Sequence, residues 1–215
     1  MKKKFKITFL LEKTNLWSEK YLKNYNFKVS KKYLINIKKS PNNIENQDLV
    51  FPINYTKILP NSFLKKNKFI AITHASKLPE DKGFAPVQYQ VLKNKKKIYV
   101  SIIKATNKVD EGLLYLRDSF MLTGNDLSDE IRLKTITAVL KIIKKFLIKY
   151  PNIKPLKKIK GGNFNKRRRP ADSELNINKS IKSQFNLLRI CDNFLYPSFF
   201  KYKKQKYILK IYKSN

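Results

Sequence analysis

Two short apolar runs most strongly limit the folds open to this chain. Leu49–Phe51 and Phe69–Ile72 contain no polar side chain, and each follows a charged residue. A strand that faces water on one side alternates apolar and polar residues, whereas a strand covered on both faces is apolar throughout. Each run therefore predicts a buried strand in a parallel sheet that carries helices on both faces.

Further patterns extend this sheet in both directions along the chain. Additional strands are predicted at residues 6–10, 32–37, 99–103, 113–116 and 207–212, and helices at residues 15–26, 86–92, 129–149 and 181–190. Two prolines end the long third helix, and the Gly-containing residues 151–166 are typical of a linker or a loop. We expect an α/β fold: a Rossmann-like, mostly parallel sheet with flanking helices over residues 1–150, and a small C-terminal α+β extension over residues 151–215.

The net charge of +33 is the most conspicuous compositional feature. Such a charge can neutralise the phosphates of a nucleic acid. However, lysine supplies all but six of the 48 basic residues and is scattered along the chain. Forked contacts to phosphates and bases favour arginine, so we expect no specific nucleic-acid partner. The charge should still attract small anionic ligands.

Segments that would direct the chain to a membrane are not evident in the sequence. The basic start Met1–Lys4 leads into a run that Lys6 interrupts, and no apolar run approaches the roughly 20 residues that cross a bilayer. The single cysteine, Cys191, rules out a disulfide framework and a multi-cysteine metal site. We therefore expect a cytoplasmic protein with no membrane partner and no metal.

His74 is the only histidine, and it follows the second apolar run. Imidazole is the side chain best suited to proton transfer near neutral pH, although a lone histidine at a strand end is more often structural. In an open parallel sheet, ligands bind beyond the carboxyl ends of the strands, where this histidine is expected. Asp110 could orient such an imidazole or could simply cap its own loop.

The residues around His74 and Asp110 resemble those of the formyltransferase family. His74, Ser76, Leu78, Pro79, Gly83 and Pro86 match the family's Asn-x-His-x-Ser-x-Leu-Pro-x-x-x-Gly-x-x-Pro loop, and Asp110 with Gly112 matches its later Asp-x-Gly element. Segment 52–60 is similar to the family's strand and turn that lead to an Ile-Leu-Pro. Segments 167–175 and 184–189, with Tyr196 and Pro197, are similar to the subgroup that acts on nucleotide-linked amino sugars. The resemblance covers residues 47 to 213.

This resemblance implies a formyltransferase fold, a reaction and a set of site residues. The reaction moves a formyl group from 10-formyltetrahydrofolate to the amine of a nucleotide-linked deoxyamino sugar, for surface polysaccharide biosynthesis. His74 and Asp110 are expected to be catalytic. The residues expected to contact the folate are Leu59, Leu78, Gly83, Pro86, Val109 and Gly112. The residues expected to contact the sugar nucleotide are Ser76, Lys82, Gln88, Arg167, Arg168, Arg169 and Tyr196.

Several alternatives remain open at the level of the sequence. Arg167–Arg169 could grip a diphosphate with forked hydrogen bonds, or could be a solvated basic turn. The family's asparagine, which helps to polarise the formyl carbonyl, falls at Ile72, so Thr73, Asn54 or main-chain amides would have to replace it. The chain could instead be a catalytically degenerate relative, or a basic RNA-binding or ribosome-associated protein. The resemblance allows for a homodimer.

Overall fold

The computed structural model describes residues 4–13, 16–25, 27 and 32–214. Its α-helices are α1 (Glu19–Asn24), α2 (Asn61–Lys65), α3 (Pro86–Leu92), α4 (Ser128–Lys149) and α5 (Ile181–Ile190). Its strands are β1 (Phe5–Leu11), β2 (Tyr33–Lys38), β3 (Leu49–Ile53), β4 (Ala71–His74), β5 (Lys82–Gly83), β6 (Lys97–Lys104), β7 (Gly112–Met121), β8 (Lys157–Ile159), β9 (Phe164–Asn165), β10 (Ser198–Tyr202) and β11 (Gln205–Leu209). Residues 15 and 26, the ends of the first predicted helix, lie outside the described ranges.

The central sheet is parallel in its first half and antiparallel in its second half. Strands β2, β1 and β3 run parallel, and a parallel bridge between Val50 and Ile70 joins β3 to the segment that enters β4. Strands β4, β6, β7 and β8 then pair antiparallel. The α/β fold with buried parallel strands and flanking helices is confirmed.

The reversal of strand direction was not predicted from the sequence. Residues 105–111, which connect β6 to β7, are fewer than the roughly one dozen residues that a parallel crossover requires. These two strands therefore have to pair antiparallel. His74 is the last residue of β4, which is itself the last strand of the parallel half, so it lies where the sheet changes direction. The predicted strand at residues 69–72 begins and ends two residues later than expected.

The main hydrophobic core lies between the parallel strands and α4. All five residues of β3 are buried, as the uninterrupted apolar run predicted. Phe9 and Phe51 stack in the sheet, and Phe146 of α4 packs edge-on against Phe51. Burying one such side chain stabilises the folded state by roughly 1.5–3 kcal/mol. Helix α4 begins with acidic residues and ends with a lysine, which suits its dipole.

The segment after α4 folds back onto the sheet. Residues 151–166 form a loop, one of the two structures predicted for them, and the loop contains two short strands. Strand β8 pairs with β7, and β9 pairs with β5 in the loop after His74. Ile159 is buried against Leu78, Ile103 and Leu114, which explains why a short, lysine-rich segment is held there. Beyond α5, β10 and β11 form an antiparallel hairpin. No helix in the described part of the chain is long and apolar enough to cross a membrane.

Candidate functional site

The end of β4 and the loop that follows it place His74 inside the protein. The His74 side chain is only 8% exposed. Its main-chain carbonyl accepts a hydrogen bond from Ser76 N (2.9 Å), which turns the chain sharply into the loop of residues 75–85. We call this segment the histidine loop. Because the ring is buried at a strand end, its position depends on the groups that contact its two nitrogens.

Asp110 lies against His74, although 36 residues separate them in the chain. Asp110 Oδ1 is 3.3 Å from His74 Nδ1, and the Asp110 side chain is 9% exposed. Its second oxygen, Oδ2, accepts a hydrogen bond from Gly83 N at 2.7 Å. Asp110 has a left-handed backbone (φ 51°), a conformation that aspartate adopts more readily than most residues. One carboxylate therefore touches both the imidazole and the far end of the histidine loop.

The second nitrogen of His74 contacts the histidine loop itself. His74 Nε2 is 2.8 Å from the main-chain oxygen of Asp81. The imidazole thus lies between a carboxylate and a main-chain carbonyl, and it is almost completely buried. A buried imidazole with a carboxylate beside it can take up a proton and have the resulting positive charge stabilised. This is the chemistry that the pair can contribute.

The Asp81 carboxylate joins the histidine loop to two other parts of the fold. Lys93 Nζ donates to Oδ1 at 2.5 Å, and the Nδ2 atoms of Asn163 and Asn165 lie 3.4 and 3.3 Å from the same oxygen. Burial opposes the charge of Asp81. The hydrogen bonds from Lys93, Asn165 and Asn163 outweigh burial, so the pKa of this carboxyl lies below its usual value.

Further hydrogen bonds hold the histidine loop along its length. Gln90 Nε2 donates to Ala75 O, Ser101 Oγ donates to Ser76 O, and Arg117 Nη2 donates to Leu78 O. The main-chain nitrogens of Lys82 and Phe84 donate to the carbonyls of Asn163 and Asn165. A loop with so many donors from the sheet, α3 and β9 has little freedom to move as a unit.

Two glycines in this region meet the chain's own backbone. A Cβ on Gly83 (φ 86°) would lie 2.6 Å from Asn165 O, and one on Gly112 (φ 151°) would lie 2.2 Å from Lys104 O. Both glycines were expected to contact a folate. Their missing side chains instead allow β5 to approach β9, and β7 to approach β6. Their role in the structure is close packing around the pair.

Three other predicted site residues make contacts within the fold. Leu78 was assigned to the folate site, but it is a core residue, 1% exposed. Ser76 was assigned to the acceptor, but its buried hydroxyl donates to Glu80 O at 2.6 Å and closes the loop. Lys82 was also assigned to the acceptor, but its side chain is 10% exposed and pairs with Glu111 at 2.9 Å. Each is already used to hold the fold.

The remaining predicted folate residues lie in varied environments. Pro86 is the first residue of α3, where its fixed φ suits a helix start. Leu59 packs against an apolar cluster that contains residues of β3 and α2. Val109, next to Asp110 in the chain, is 43% exposed. Of these three, Val109 presents the most apolar surface to a ligand.

The predicted acceptor-binding residues lie in different parts of the structure. The Arg167 guanidinium lies over the Phe84 ring, 4.7 Å from its centroid, at the end of the histidine loop. Arg168 Nη2 and Arg169 N both bond to Asp172, so these two arginines belong to the following turn. Gln88 is half-buried on α3, and Tyr196 is exposed between α5 and β10. Of these three consecutive arginines, Arg167 is the one that contacts the histidine loop.

Glu12 was not singled out in the sequence, yet it is one of the few buried acids. It follows β1, and its Oε2 accepts hydrogen bonds from Thr56 N (2.9 Å) and Thr56 Oγ1 (2.6 Å). Burial opposes its charge, but these bonds and the cations Lys57 and Arg167 lower the pKa of Glu12 below its usual value. Glu12 therefore links the carboxyl end of β1 to Arg167 by electrostatic attraction. Nothing in the local pattern of residues distinguishes it from the other acids.

Ile72, at the family's asparagine position, lies on the same face of β4 as His74 because alternate residues of a strand share a face. Its side chain packs against apolar clusters on both sides, one containing Val50 and Phe63 and the other containing Leu78 and Ile103. An apolar residue therefore fits this position well. Among the described residues, no group of three or more potential ligands could hold a metal ion.

Comparison with known proteins gives a family match that includes this site. A family model described as formyl transferase matches residues 10–146, more than half of the chain. The methionyl-tRNA formyltransferase of Lactobacillus johnsonii is 34% identical over 82 residues, which are 38% of this chain and 26% of that protein. The matching segments span between 25% and 39% of the length of the first curated relatives.

Solved structures share the fold over nearly the whole chain. The methionyl-tRNA formyltransferase of Clostridium thermocellum has a TM-score of 0.82 at 19% identity, covering 98% of this chain and 94% of that one. A sugar N-formyltransferase from Shewanella sp. has a TM-score of 0.74 at 13% identity, covering 98% of both chains. HypX from Aquifex aeolicus in complex with tetrahydrofolic acid has a TM-score of 0.69 at 15% identity, covering 95% of this chain and 37% of that one. The family match spans both His74 and Asp110, and this chain belongs to the formyl transferase family.

Proposed function

We propose that this protein transfers a formyl group from 10-formyltetrahydrofolate to the amine of a nucleotide-linked deoxyamino sugar. The observation that carries this proposal is the buried contact between His74 Nδ1 and Asp110 Oδ1, 3.3 Å long, within a formyl transferase family domain. The formamido sugar produced would serve surface polysaccharide biosynthesis. This activity requires a cytoplasmic enzyme that has access to folate.

The pair supplies the proton transfer that this reaction needs. The amine nitrogen forms a bond to the formyl carbon, and the bond between that carbon and the donor nitrogen breaks. The attacking nitrogen loses a proton, and the donor nitrogen gains one. His74 can accept the first proton and return it to the departing nitrogen, while Asp110 stabilises the cation between the two steps. A positioned acid–base group of this kind contributes roughly 10²- to 10⁴-fold in rate.

The surface next to the pair is suited to a folate donor. Val109 offers an exposed apolar side chain directly beside Asp110 in the chain. Apolar side chains of this type can pack against a flat aromatic ring. The tetrahydrofolic acid in the HypX complex supports a folate as the ligand of this fold. We therefore assign Val109 to the donor side of the site.

The acceptor side of the proposed site is basic. Arg167 is exposed at the end of the histidine loop, and its forked guanidinium suits a diphosphate. The net charge of +33 attracts any nucleotide-linked sugar to the protein. The Shewanella sugar N-formyltransferase, which matches along its whole length, supports an acceptor of this class.

Methionyl-tRNA is the second candidate acceptor. The curated sequence relatives and the similar Clostridium thermocellum structure are methionyl-tRNA formyltransferases, which favours this acceptor. The strongly positive charge of the protein would also suit an RNA. The dispersed distribution of lysine and the small number of arginines argue against a dedicated RNA surface. The two acceptors are chemically distinct, so one experiment can separate them.

The decisive experiment offers both acceptors to the purified protein. The protein is incubated with 10-formyltetrahydrofolate and either a panel of nucleotide-linked amino sugars or methionyl-tRNA, and formylated product is detected by mass spectrometry. The His74→Asn variant serves as the control for contaminating activity. We expect product with an amino sugar and none with methionyl-tRNA. Product with methionyl-tRNA alone would establish the second candidate, and no product with either would refute both.

A further inference from the structure

We infer that Asp81 is a positioning residue: it fixes which nitrogen of His74 carries hydrogen, and it leaves Nδ1 as the basic nitrogen beside Asp110. The Asp81 main-chain oxygen lies 2.8 Å from His74 Nε2. A carbonyl oxygen can only accept a hydrogen bond, so this contact requires hydrogen on Nε2. In a neutral ring, Nδ1 then carries a lone pair.

The lone pair on Nδ1 faces Asp110 Oδ1 at 3.3 Å. Two acceptors at this separation repel each other until a proton lies between them. The neutral ring is therefore prepared to take up one proton at Nδ1, and the carboxylate then stabilises the imidazolium. The hydrogen bond made by one imidazole nitrogen determines the function of the other, and here a main-chain carbonyl determines that Nδ1 is the base.

The opposite tautomer, with hydrogen on Nδ1, would donate to the Asp110 carboxylate. That contact would be charge-assisted, but its 3.3 Å exceeds the usual 2.7–3.2 Å range, whereas the contact from Nε2 to Asp81 O lies well within it. The same tautomer would also leave Nε2 and the Asp81 carbonyl as two facing acceptors at 2.8 Å. The geometry thus favours hydrogen on Nε2.

The side chain of Asp81 holds its own carbonyl in place. The carboxylate is 2% exposed, and it is bound by Lys93, Asn163 and Asn165, with Lys95 Nζ at 3.5 Å from Oδ2. Asn163 Oδ1 also accepts from Asp81 N at 2.9 Å, so Asn163 grips both the main chain and the side chain. We call these contacts the Asp81 clamp.

The backbone of Asp81 needs this clamp because it is left-handed, with φ at 53°. Few residue types other than glycine adopt this conformation readily, and aspartate and asparagine are among them. Two of the four side chains in the Asp81 clamp, Asn163 and Asn165, come from β9 and its approach. The C-terminal part of the chain is therefore linked to His74 through Asp81.

The Asp81→Asn variant tests this inference, with Asp126→Asn as the matched control. Asparagine keeps the size of the side chain and tolerates the left-handed backbone, but it removes the charge that binds Lys93 and Lys95. Like Asp81, Asp126 is buried (its side chain is 4% exposed), lies 2.5 Å from a lysine nitrogen and has a lowered pKa. It lies two residues before α4, and its carboxylate accepts hydrogen bonds from Thr123 N and Lys134 Nζ. Both variants should lose stability, but only Asp81→Asn should alter His74.

The readout is the nitrogen spectrum of the single histidine. Because His74 is the only histidine, ¹⁵N-histidine labelling yields one imidazole, and long-range ¹H–¹⁵N correlation in alkaline buffer identifies its protonated nitrogen. We expect hydrogen on Nε2 in the wild type and in Asp126→Asn, and a mixture of tautomers in Asp81→Asn. Hydrogen on Nδ1 in the wild type, or an unchanged pattern in Asp81→Asn, would overturn the inference.

The catalytic consequence rests on the proposed function and is measured separately. With a verified acceptor, Asp81→Asn should lower kcat by roughly 10- to 100-fold, the range seen when a group that orients an imidazole is removed, and should leave KM nearly unchanged. Asp126→Asn should retain kcat. The spectrum is recorded without substrate, so absence of formyl transfer would refute the function and leave the tautomer assignment intact. An altered tautomer with unchanged kcat would refute the positioning role.

Discussion

Replacing Asp110 by asparagine is the most direct test of the proposed catalytic pair, His74 and Asp110. The amide oxygen can still accept from Gly83 N, so the histidine loop should stay in place, while the negative charge beside His74 is lost. The variant therefore separates the electrostatic role of Asp110 from its role in holding the loop. Asp110→Ala removes both and should additionally cost about 1 kcal/mol of stability for the lost hydrogen bond.

The size of the effect follows from the geometry. Two unit charges about 4 Å apart interact with roughly 4 kcal/mol at an effective dielectric constant near 20. That value is an upper limit, because only part of the charge has formed on His74 in the transition state; half of it gives about 2 kcal/mol. At 1.36 kcal/mol for each tenfold change, kcat should fall between about 30-fold and about 10³-fold.

The assay compares Asp110→Asn with Asp118→Asn under saturating donor and acceptor. Asp118 lies in β7, is 23% exposed and pairs with Lys145, so this control loses one carboxylate charge away from His74. Circular dichroism and thermal unfolding confirm that both variants fold. Near wild-type turnover in Asp110→Asn, or equal losses in the two variants, would refute the assignment of Asp110 to the chemical step.

Four further outcomes are expected. His74→Asn should lower turnover by about 10²-fold or more while the circular dichroism spectrum stays unchanged; near wild-type turnover would remove His74 from catalysis. Ile72→Asn should lower the unfolding temperature, because an amide replaces a packed side chain at a cost of roughly 1–3 kcal/mol, and should raise kcat little; a gain near 10²-fold would instead indicate a missing oxyanion donor. The lowered pKa values of Asp81 and Asp126 stabilise the fold above about pH 4. The urea concentration at the midpoint of unfolding should therefore be constant above that pH and should fall as the pH drops through the folded-state pKa values. A midpoint that stays constant under acid conditions would contradict this. Binding to RNA in fluorescence anisotropy should be weak, independent of sequence and lost by about 200 mM salt; a defined RNA that remains bound would favour a nucleic-acid function.

The parts of the fold that could be predicted from the sequence are those specified by local patterns. Strand β3 is apolar throughout, α4 has a long buried stripe with suitable charges at its ends, and α5 was predicted at residues 181–190, where it lies. Strands β5, β8 and β9 have only two or three residues each and show no periodicity. Their existence depends on partners far away in the chain, and a local pattern contains no information about such partners.

The residues of the candidate site were likewise predicted only in part. His74 and Asp110 were predicted because a family motif identifies them, and the structure brings them into contact. Asp81 was missed because it contacts His74 through its main chain, and any residue type has a main-chain carbonyl. The pairing of Lys82 with Glu111 was missed because the charges of this lysine-rich chain suggest many possible partners. Two of the side chains that the motif suggested for ligands, Leu78 and Ser76, are buried, and the Ser76 hydroxyl is hydrogen-bonded within the loop.

The close contact between Gly162 and Pro79 has a consequence for how the protein is made. A Cβ at Gly162 (φ 83°) would lie 1.9 Å from Pro79 O, so the segment carrying Asn163 and Asn165 rests directly on the histidine loop. During synthesis, N-terminal elements emerge from the ribosome first and can begin to pack before later ones exist. The sheet and α4 can therefore assemble while the segment that carries Asn163 is still inside the ribosome. The surroundings of His74 are completed only when residues 162–165 emerge, so the candidate site should take shape after α4 and the strands before it have begun to pack.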